Sequence, residues 1–299
     1  NLIVAAEPTG HYWFGLADYL KDEKLKLVLV NPFHVNRAKE LDDNHPSKTD
    51  AKDPKTIAKL VIEGRYMEPY IPEGVYADLR IMYNCRQKVT KAMISLENQL
   101  KRWFRIYFPE YFSVFGNLSG QGSMAVLEKG LLPEDIISLG VELRAVGMKR
   151  VESLYEAAVK SIGRREGSVG GRAEFRMLWE DYCHKMEQME KLNIELESLL
   201  HKVPQAEEVL KMKGIGLVSV AGFFAEVGDL RRFESPKQIQ KLAGLAIREN
   251  SSGKHKGQTT ISKRGRARLR AVLFNAAIAL VGRNGAFKSI HEYYIGRKA

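Results

Sequence analysis

The sequence predicts an α/β opening segment followed by a mostly α-helical chain. Three observations lead to that fold class. Two short apolar runs, Leu2-Ile3-Val4-Ala5-Ala6 and residues 26–30, bracket a stretch of helical period, the order of an α/β unit. Two later stretches, from Val75 to about Phe104 and from Phe175 to Val203, space their apolar residues by three and four over about four heptads. The last third holds Lys213-Gly214-Ile215-Gly216 between two helical stretches, the shape of a helix-hairpin-helix turn. The expected domains are residues 1–70, 75–205 and 206–299.

The run at 2–6 is apolar throughout, as in a buried strand. It starts at once from Asn1, so the chain is expected to begin mid-domain. Glu7 ends this strand before the turn Pro8-Thr9-Gly10, and α/β sheets place ligands at the carboxyl ends of strands. A solvated strand-end carboxylate accounts for Glu7 as well. Residues 11–20 have the period of a helix with an aromatic face, and Asn31-Pro32 closes the second strand. Residues 36–49, rich in Lys, Asp, Asn and His, read as a mobile polar loop. Asp53-Pro54 is a helix start, with Asp53 as N-cap and Pro54 at the first helical position. Asp50, one turn upstream, lies beside Asp53 and Glu7 if this helix packs on the strand end. Three carboxylates converging in that way hold one or two Mg²⁺ ions, which prefer oxygen ligands and keep waters for phosphate oxygens.

The first heptad-like stretch carries Leu79, Met82, Val89, Met93, Leu96, Leu100 and Trp103, with Arg86 as an exception. The second carries Phe175, Leu178, Tyr182, Met189, Leu192, Leu196, Leu199 and Val203, with Lys185 as an exception. Both read as long helices able to pair as a coiled coil, with each other or between protomers, and a plain core stripe gives the same pattern. Between them, residues 133–139 and 149–162 are shorter helical segments. Residues 164–172, basic and rich in glycine, read as a flexible hinge. Cys85 and Cys183 lie far apart without metal-ligand spacing, which argues for a reducing compartment and against a zinc site.

Charge singles out one segment. Of a formal net charge of +11 over 299 residues, residues 248–270 supply +7, with eight Lys or Arg against the single acid Glu249. With 44% hydrophobic residues and a pI near 9.5, the chain is a folded protein with a polyanionic partner. No apolar run approaches the roughly 18 residues a spanning helix needs, and no signal-peptide pattern opens the chain, so the expectation is a soluble cytoplasmic protein. Within the basic segment, Ser251-Ser252-Gly253-Lys254 offers two of the three things a serine needs to attack phosphorus: close-approach backbone and positive charge. A phosphate-contact loop in which both serines only donate hydrogen bonds fits the same residues. Lys213, Gly214 and Gly216 can receive a DNA phosphate at a helix N-terminus, and such turns also serve as packing corners. With Ser251, Lys254, Lys256, Lys263, Arg264 and Arg268 they form the expected DNA-binding set.

The order of these pieces carries a resemblance. Glu7-Pro8-Thr9-Gly10-His11-Tyr12-Trp13, then Lys48-Thr49-Asp50-Ala51-Lys52-Asp53, then Gly214-Ile215-Gly216 through Ala243-Gly244-Leu245, Ser251-Ser252-Gly253 and Ile261-Ser262-Lys263-Arg264-Gly265 resemble the insertion-sequence "one-ten" transposases. These are DEDD recombinases related to the Piv DNA invertases. The resemblance implies a RuvC-like domain of the RNase H fold, a coiled coil and a C-terminal transposase domain with a nucleophilic serine. Glu7, Asp50 and Asp53 match the second, third and fourth acids of the tetrad, and Ser252 matches the nucleophile with Ser251 as its close rival. The first acid is expected upstream of Asn1, and the family continues into further helix beyond Ala299. The resemblance also implies Mg²⁺, a phosphoserine link to DNA and a homo-oligomer, dimer or tetramer, in which acids and serine come from different protomers. In some members it adds a guide RNA, and it places the protein at the bacterial nucleoid.

The function expected is therefore DNA strand cleavage and exchange by a transposase or site-specific recombinase. Two other readings stay open: a metal-only nuclease that cuts with water like a junction resolvase, and a truncated relative that binds nucleic acid and catalyses nothing.

Overall fold

The computed structural model describes residues 2–43, 52–129, 132–139, 148–248, 251–252 and 255–297. The chain divides into two compact units, Asn1–Pro72 and Glu73–Ala299. The second holds both the long helices and the basic C-terminal segment.

In the first unit, β1 (Ile3–Ala6) and β2 (Lys26–Leu29) pair in parallel, Ile3 opposite Lys26 and Ala6 opposite Leu29. The crossover is α1 (Tyr12–Asp22), which buries Ala17 and Leu20. The far edge of β2 bonds Met67, through Leu29 N–H to Met67 O and Met67 N–H to Leu29 O, each 2.8 Å. Two helices follow, α2 (Pro32–Asp43) and α3 (Lys52–Ile62), packed on each other over Val30, Val35 and Leu60.

Helix α2 corrects the expectation of a mobile loop from residue 36, because residues 36–43 are helical. Asn31-Pro32, read as the stop of a strand, also starts a helix. The Asn31 side chain accepts from Phe33 N–H at 2.9 Å, and Pro32 occupies the first position, where its missing N–H costs nothing. Val35 and Ala38 then give the helix its apolar stripe. In α3 the helix already includes Lys52, so Asp53 and Pro54 sit inside its first turn and Asp53 is not the N-cap.

The second unit is organised around α4 (Val75–Tyr107) and α9 (Ser168–Leu200), each 33 residues and about 50 Å long at 1.5 Å per residue. They pack side by side and antiparallel: Arg86 meets Asn193, Glu97 meets Tyr182, and Trp103 donates its indole N–H to Gly171 O at 2.7 Å. At one end Leu96, Leu100, Trp103 and Phe104 join Phe175, Leu178 and Tyr182 in a core closed by the short helices α5 (Tyr111–Val114), α6 (Gln121–Leu127), α7 (Pro133–Leu139) and α8 (Met148–Val159). At the other end Leu79, Tyr83, Leu196 and Leu200 form a second core with α10 (Ala206–Leu210) and α11 (Leu217–Val227). Arg86, the exception in the heptads, lies between the two cores and donates to Asn193 Oδ1 at 2.8 Å, a polar layer that fixes one register of the pair.

The expected hinge over residues 164–172 is tied down. Arg164 N–H bonds Ile106 O at 2.8 Å, Arg172 pairs with Asp135, and α9 begins at Ser168. The glycine there serves close approach: a Cβ on Gly171 would lie 2.6 Å from Tyr107 Cζ.

Beyond a 3-10 turn at Leu230–Arg232 come α12 (Pro236–Leu242), the two-residue strands β3 (Ile247–Arg248), β4 (Ser251–Ser252), β5 (His255–Lys256) and β6 (Thr260–Ile261), then α13 (Ala267–Arg283) and α14 (Gly285–Gly296). Helix α13 packs on α11, and Val227, Ala243 and Leu269 form a small core beneath the strands. Among the described residues, no helix is long and apolar enough to cross a membrane.

Candidate strand-transfer site

The serines lie on an antiparallel ribbon. Its lower rungs pair Ile247 with Ile261 and Arg248 with Thr260, and its upper rungs pair Ser251 with Lys256 and Ser252 with His255. The two ladders are separate two-residue pairings, one residue out of register with each other. Gly253 and Lys254 lie outside the described residues, and of Ser251, Ser252 and Lys256 only the backbone is described.

The ribbon stands on a base made of backbone. Ser262 N–H bonds Ala246 O (2.8 Å), Lys263 N–H bonds Gly244 O (2.9 Å) and Arg266 N–H bonds Leu242 O (2.7 Å). Gly244 has φ +70°, and a Cβ on it would meet the carbonyl carbon of Lys263 at 2.9 Å. A Cβ on Gly265 would come within 2.5 Å of both Gly244 N and Leu242 O. Ala243-Gly244-Leu245 and Lys263-Arg264-Gly265 are thus two strips of main chain in contact, and only glycine permits it. Arg270, one turn into α13, donates to Ala243 O at 2.9 Å and to Lys263 O at 3.4 Å, locking the strips together. Sequence reading placed Lys263-Arg264-Gly265 in the basic segment and took Ala243-Gly244-Leu245 as one of the motifs that carry the family resemblance. Their packing role shows only when α13 brings residues 243 and 265 together.

Around this base, Lys263, Arg264 and Arg268 are exposed cations, and Arg268 Nη1 donates to Asn84 Oδ1 of α4. Lys213, Gly214 and Gly216 form a separate patch. Gly214, at φ +106°, packs on α13 beside Ala279, Leu280 and Arg283, whereas Arg268 is in the first turn of that helix. Eleven or more helical residues separate the two patches, roughly 16 Å or more along the axis. Gly214 is thereby a packing corner, while Lys213 and Gly216, the N-cap of α11, are exposed.

In the first unit, Glu7 is half-buried just past the end of β1, and α3, which carries Asp53, packs against that strand. Asp50 lies outside the described residues. Among the described residues no group of three His, Cys, Asp or Glu gathers to hold a metal ion. The donor chemistry of Glu7 and Asp53 suits a hard cation. Asp53 Oδ1 is shielded from solvent, and the ammonium of Lys39, from α2, forms an ion pair with it. Lys39 is thus the cation that this carboxylate faces.

Two family models match the two regions just described. A transposase model matches residues 1–109, and the model of the IS116/IS110/IS902 transposase family matches residues 206–294. A protein named "Probable family 20 transposase" from Pseudomonas aeruginosa is 30% identical over 283 residues, covering 93% of this chain and 71% of that protein. The chain belongs to the IS110/IS116/IS902 transposase family. Two other relatives are an uncharacterized 44.8 kDa protein of insertion element IS116 from Streptomyces clavuligerus and the transposase for insertion sequence element IS1111A from Coxiella burnetii. The first is 25% identical over 84% of the chain and 65% of its own length, the second 23% over 85% and 59%. The chain thus spans about two thirds or less of the length of these two relatives.

Proposed function

We propose that this chain acts in a DNA transposase that cuts and rejoins strands through a serine on the ribbon, Ser252 with Ser251 as the alternative. The observation that supports this most is the ribbon itself: two adjacent serines on a short two-stranded arm, next in sequence to a close-packed backbone base whose segment also carries the exposed cations Lys263, Arg264 and Arg268. In the reaction the serine Oγ–P bond forms as the P–O bond to one deoxyribose breaks. The DNA end is held as a phosphoserine, and the serine proton ends on the released hydroxyl. The nearby cations stabilise the charge that builds on phosphorus oxygens.

The first unit is read as RuvC-like, with Glu7, Asp50 and Asp53 as ligands of Mg²⁺, which would supply Lewis-acid polarisation of the phosphate when bound. The protein is read as a homo-oligomer that acts on transposon ends and target DNA, with a guide RNA where one is used. The experiment is a covalent trap. Incubation with Mg²⁺, transposon-end DNA and any guide RNA is expected to give a protein–DNA adduct that survives SDS and is lost in Ser252→Ala. An adduct that persists in Ser252→Ala and vanishes in Ser251→Ala moves the nucleophile by one residue. Cleavage with no adduct replaces the serine mechanism with water attack, and salt-sensitive binding without any cleavage leaves a binding protein.

A further inference from the structure

The two long helices of the second unit are charged with opposite sign. Helix α4 carries seven Lys or Arg against two acids, and α9 carries four against seven. Four of the α4 cations share one face. Lys88, Lys91, Ser95, Asn98, Arg102 and Arg105 follow one another by three, four, three, four and three residues, and all six are exposed. Leu96, Leu100 and Trp103, on the opposite side, are buried in the core shared with α9. The one acid between residues 88 and 105, Glu97, is off this face: it accepts from the Tyr182 hydroxyl of α9 at 3.3 Å and pairs with Lys101. Among the described residues, none of the four cations has an ion-pair partner. A helix face kept only for solubility mixes the two signs. This one carries a single sign, in two pairs with a neutral gap between them. Lys88 and Lys91 each lie fourteen residues before Arg102 and Arg105, so the pairs are about 21 Å apart at 1.5 Å per residue. One turn before Lys88, Asn84 accepts from Arg268, so the stripe continues from the start of α13.

We propose that this face of α4 is a separate surface for duplex DNA, crossing a major groove with Lys88 and Lys91 on the phosphates of one strand and Arg102 and Arg105 on those of the other. None of these residues belongs to the basic segment 248–270 or to the turn at Lys213–Gly216. Two cation pairs about 21 Å apart straddle a groove about 12 Å wide with one backbone under each pair, and the uncharged Ser95 and Asn98 lie over the groove itself. An A-form duplex narrows that groove, so B-form DNA is the occupant. The acid-rich α9 repels the same polyanion and keeps it on the α4 side. That the polyanion is DNA rests on the function proposed above. The segregation of charge and the spacing of the pairs do not.

Two double variants and a control of equal charge test it. Lys88→Gln with Lys91→Gln removes one end of the stripe, and Arg102→Gln with Arg105→Gln the other, all at exposed positions that leave the core intact. Each pair is expected to weaken binding of a labelled DNA duplex about tenfold and to lower the slope of log K against log salt by about 1.8, twice the value for one lost phosphate contact. Arg176→Gln with Lys191→Gln takes the same charge from exposed positions on α9 and is expected to leave the slope unchanged. Fluorescence anisotropy on the full chain reads all three. Equal weakening in all three would mean that net charge is being read, and the surface falls. An RNA duplex that binds as tightly as DNA and responds equally to both stripe variants would overturn the B-form assignment. DNA binding that does not move, while light scattering shows the stripe variants losing a dimer, would make the stripe a contact with the acid-rich α9 of a second copy. Loss of affinity and slope in both stripe variants, with no covalent adduct from the wild type, keeps the surface and ends the serine reading. An adduct and a DNA affinity both untouched in the stripe variants end the surface and keep that reading, and a wild type that binds no DNA ends both.

Discussion

The ribbon base and the acid end of the first unit carry the two halves of the expected chemistry, and they are held by different means. At the ribbon base, main chain meets main chain: Gly265 lies against Gly244 and Leu242 with no room for a methyl group, and Arg270 closes the joint on two carbonyls. At the acid end, Asp53 is held by one side-chain cation, Lys39. A backbone joint admits one arrangement, which would suit the support of the proposed nucleophile, whose placement would decide its rate. An ion pair can exchange its cation, which would suit Asp53 if it binds a metal as proposed. One region is held by main chain and the other by an exchangeable side-chain contact.

The largest expected effect breaks the rigid side. Gly265→Ala places a Cβ 2.5 Å from two backbone atoms that cannot rotate away, and is expected to destabilise the second unit by about 3 kcal/mol, the upper part of the range for overpacking. Gly282→Ala is the internal contrast. It lies in α13 with nothing within 4 Å of the added carbon, so it is expected to stabilise by about 0.5 kcal/mol through helix propensity. Urea unfolding of both variants checks the pair. Equal effects of the same sign would mean that the base is not a close-packed joint.

A smaller effect is expected on the exchangeable side. If Lys39 stands where a divalent cation would, Lys39→Met leaves Asp53 without its partner and lowers the metal-free stability of the first unit, while Mg²⁺ or Mn²⁺ binds severalfold tighter because no ammonium has to leave. Isothermal titration with either ion reads this directly, with Asp53→Asn as the control that abolishes it. Unchanged metal affinity in Lys39→Met would make the pair a structural ion pair only and end the contrast between the two regions.

Sequence patterns revealed some of this and hid the rest for physical reasons. The β-α-β opening was legible because apolar runs and a helical period are properties of consecutive residues. The two long helices were legible for the same reason, and Arg86 stood out in them as an irregularity whose partner, Asn193, no local pattern could name. Helix α2 was missed because Asn-Pro ends strands as readily as it starts helices. The ribbon was missed because its strands are two residues long and its upper rungs are Ser, His and Lys, too short and too polar to show an alternation of apolar residues. The Arg80–Glu226 contact spans 146 positions, so it exists only after α4 and α11 have packed. One local signal did point there: Glu226 is the only acid in the otherwise apolar or small-residue helix α11. Asp50 and Lys254, both expected at the site, lie outside the described residues.

The smallest expected effect asks how much a side-chain ion pair matters on the rigid side. Asp229 caps the 3-10 turn leading to α12, accepting from Arg231 N–H at 2.9 Å, and the Arg231 guanidinium lies against its carboxylate at 2.7 Å. That hydrogen-bonded guanidinium, aided by the backbone amide, holds the Asp229 carboxyl below its ordinary value of 3.8. A carboxyl with a depressed folded pKa contributes stability that is fully present above the unfolded value and is lost as pH falls through the folded one. Stability should therefore decline slightly as pH drops below about 4, and the decline should be shallower in Asp229→Asn, which keeps the cap and removes the charge. Arg231 is 77% exposed, so solvent and salt screen the pair and the change in the acid limb of a Tm profile is expected to be far smaller than the loss in Gly265→Ala. A change of comparable size would mean that charge, and not the backbone joint, carries the stability of this region, and the distinction drawn between its support and that of Asp53 would fall.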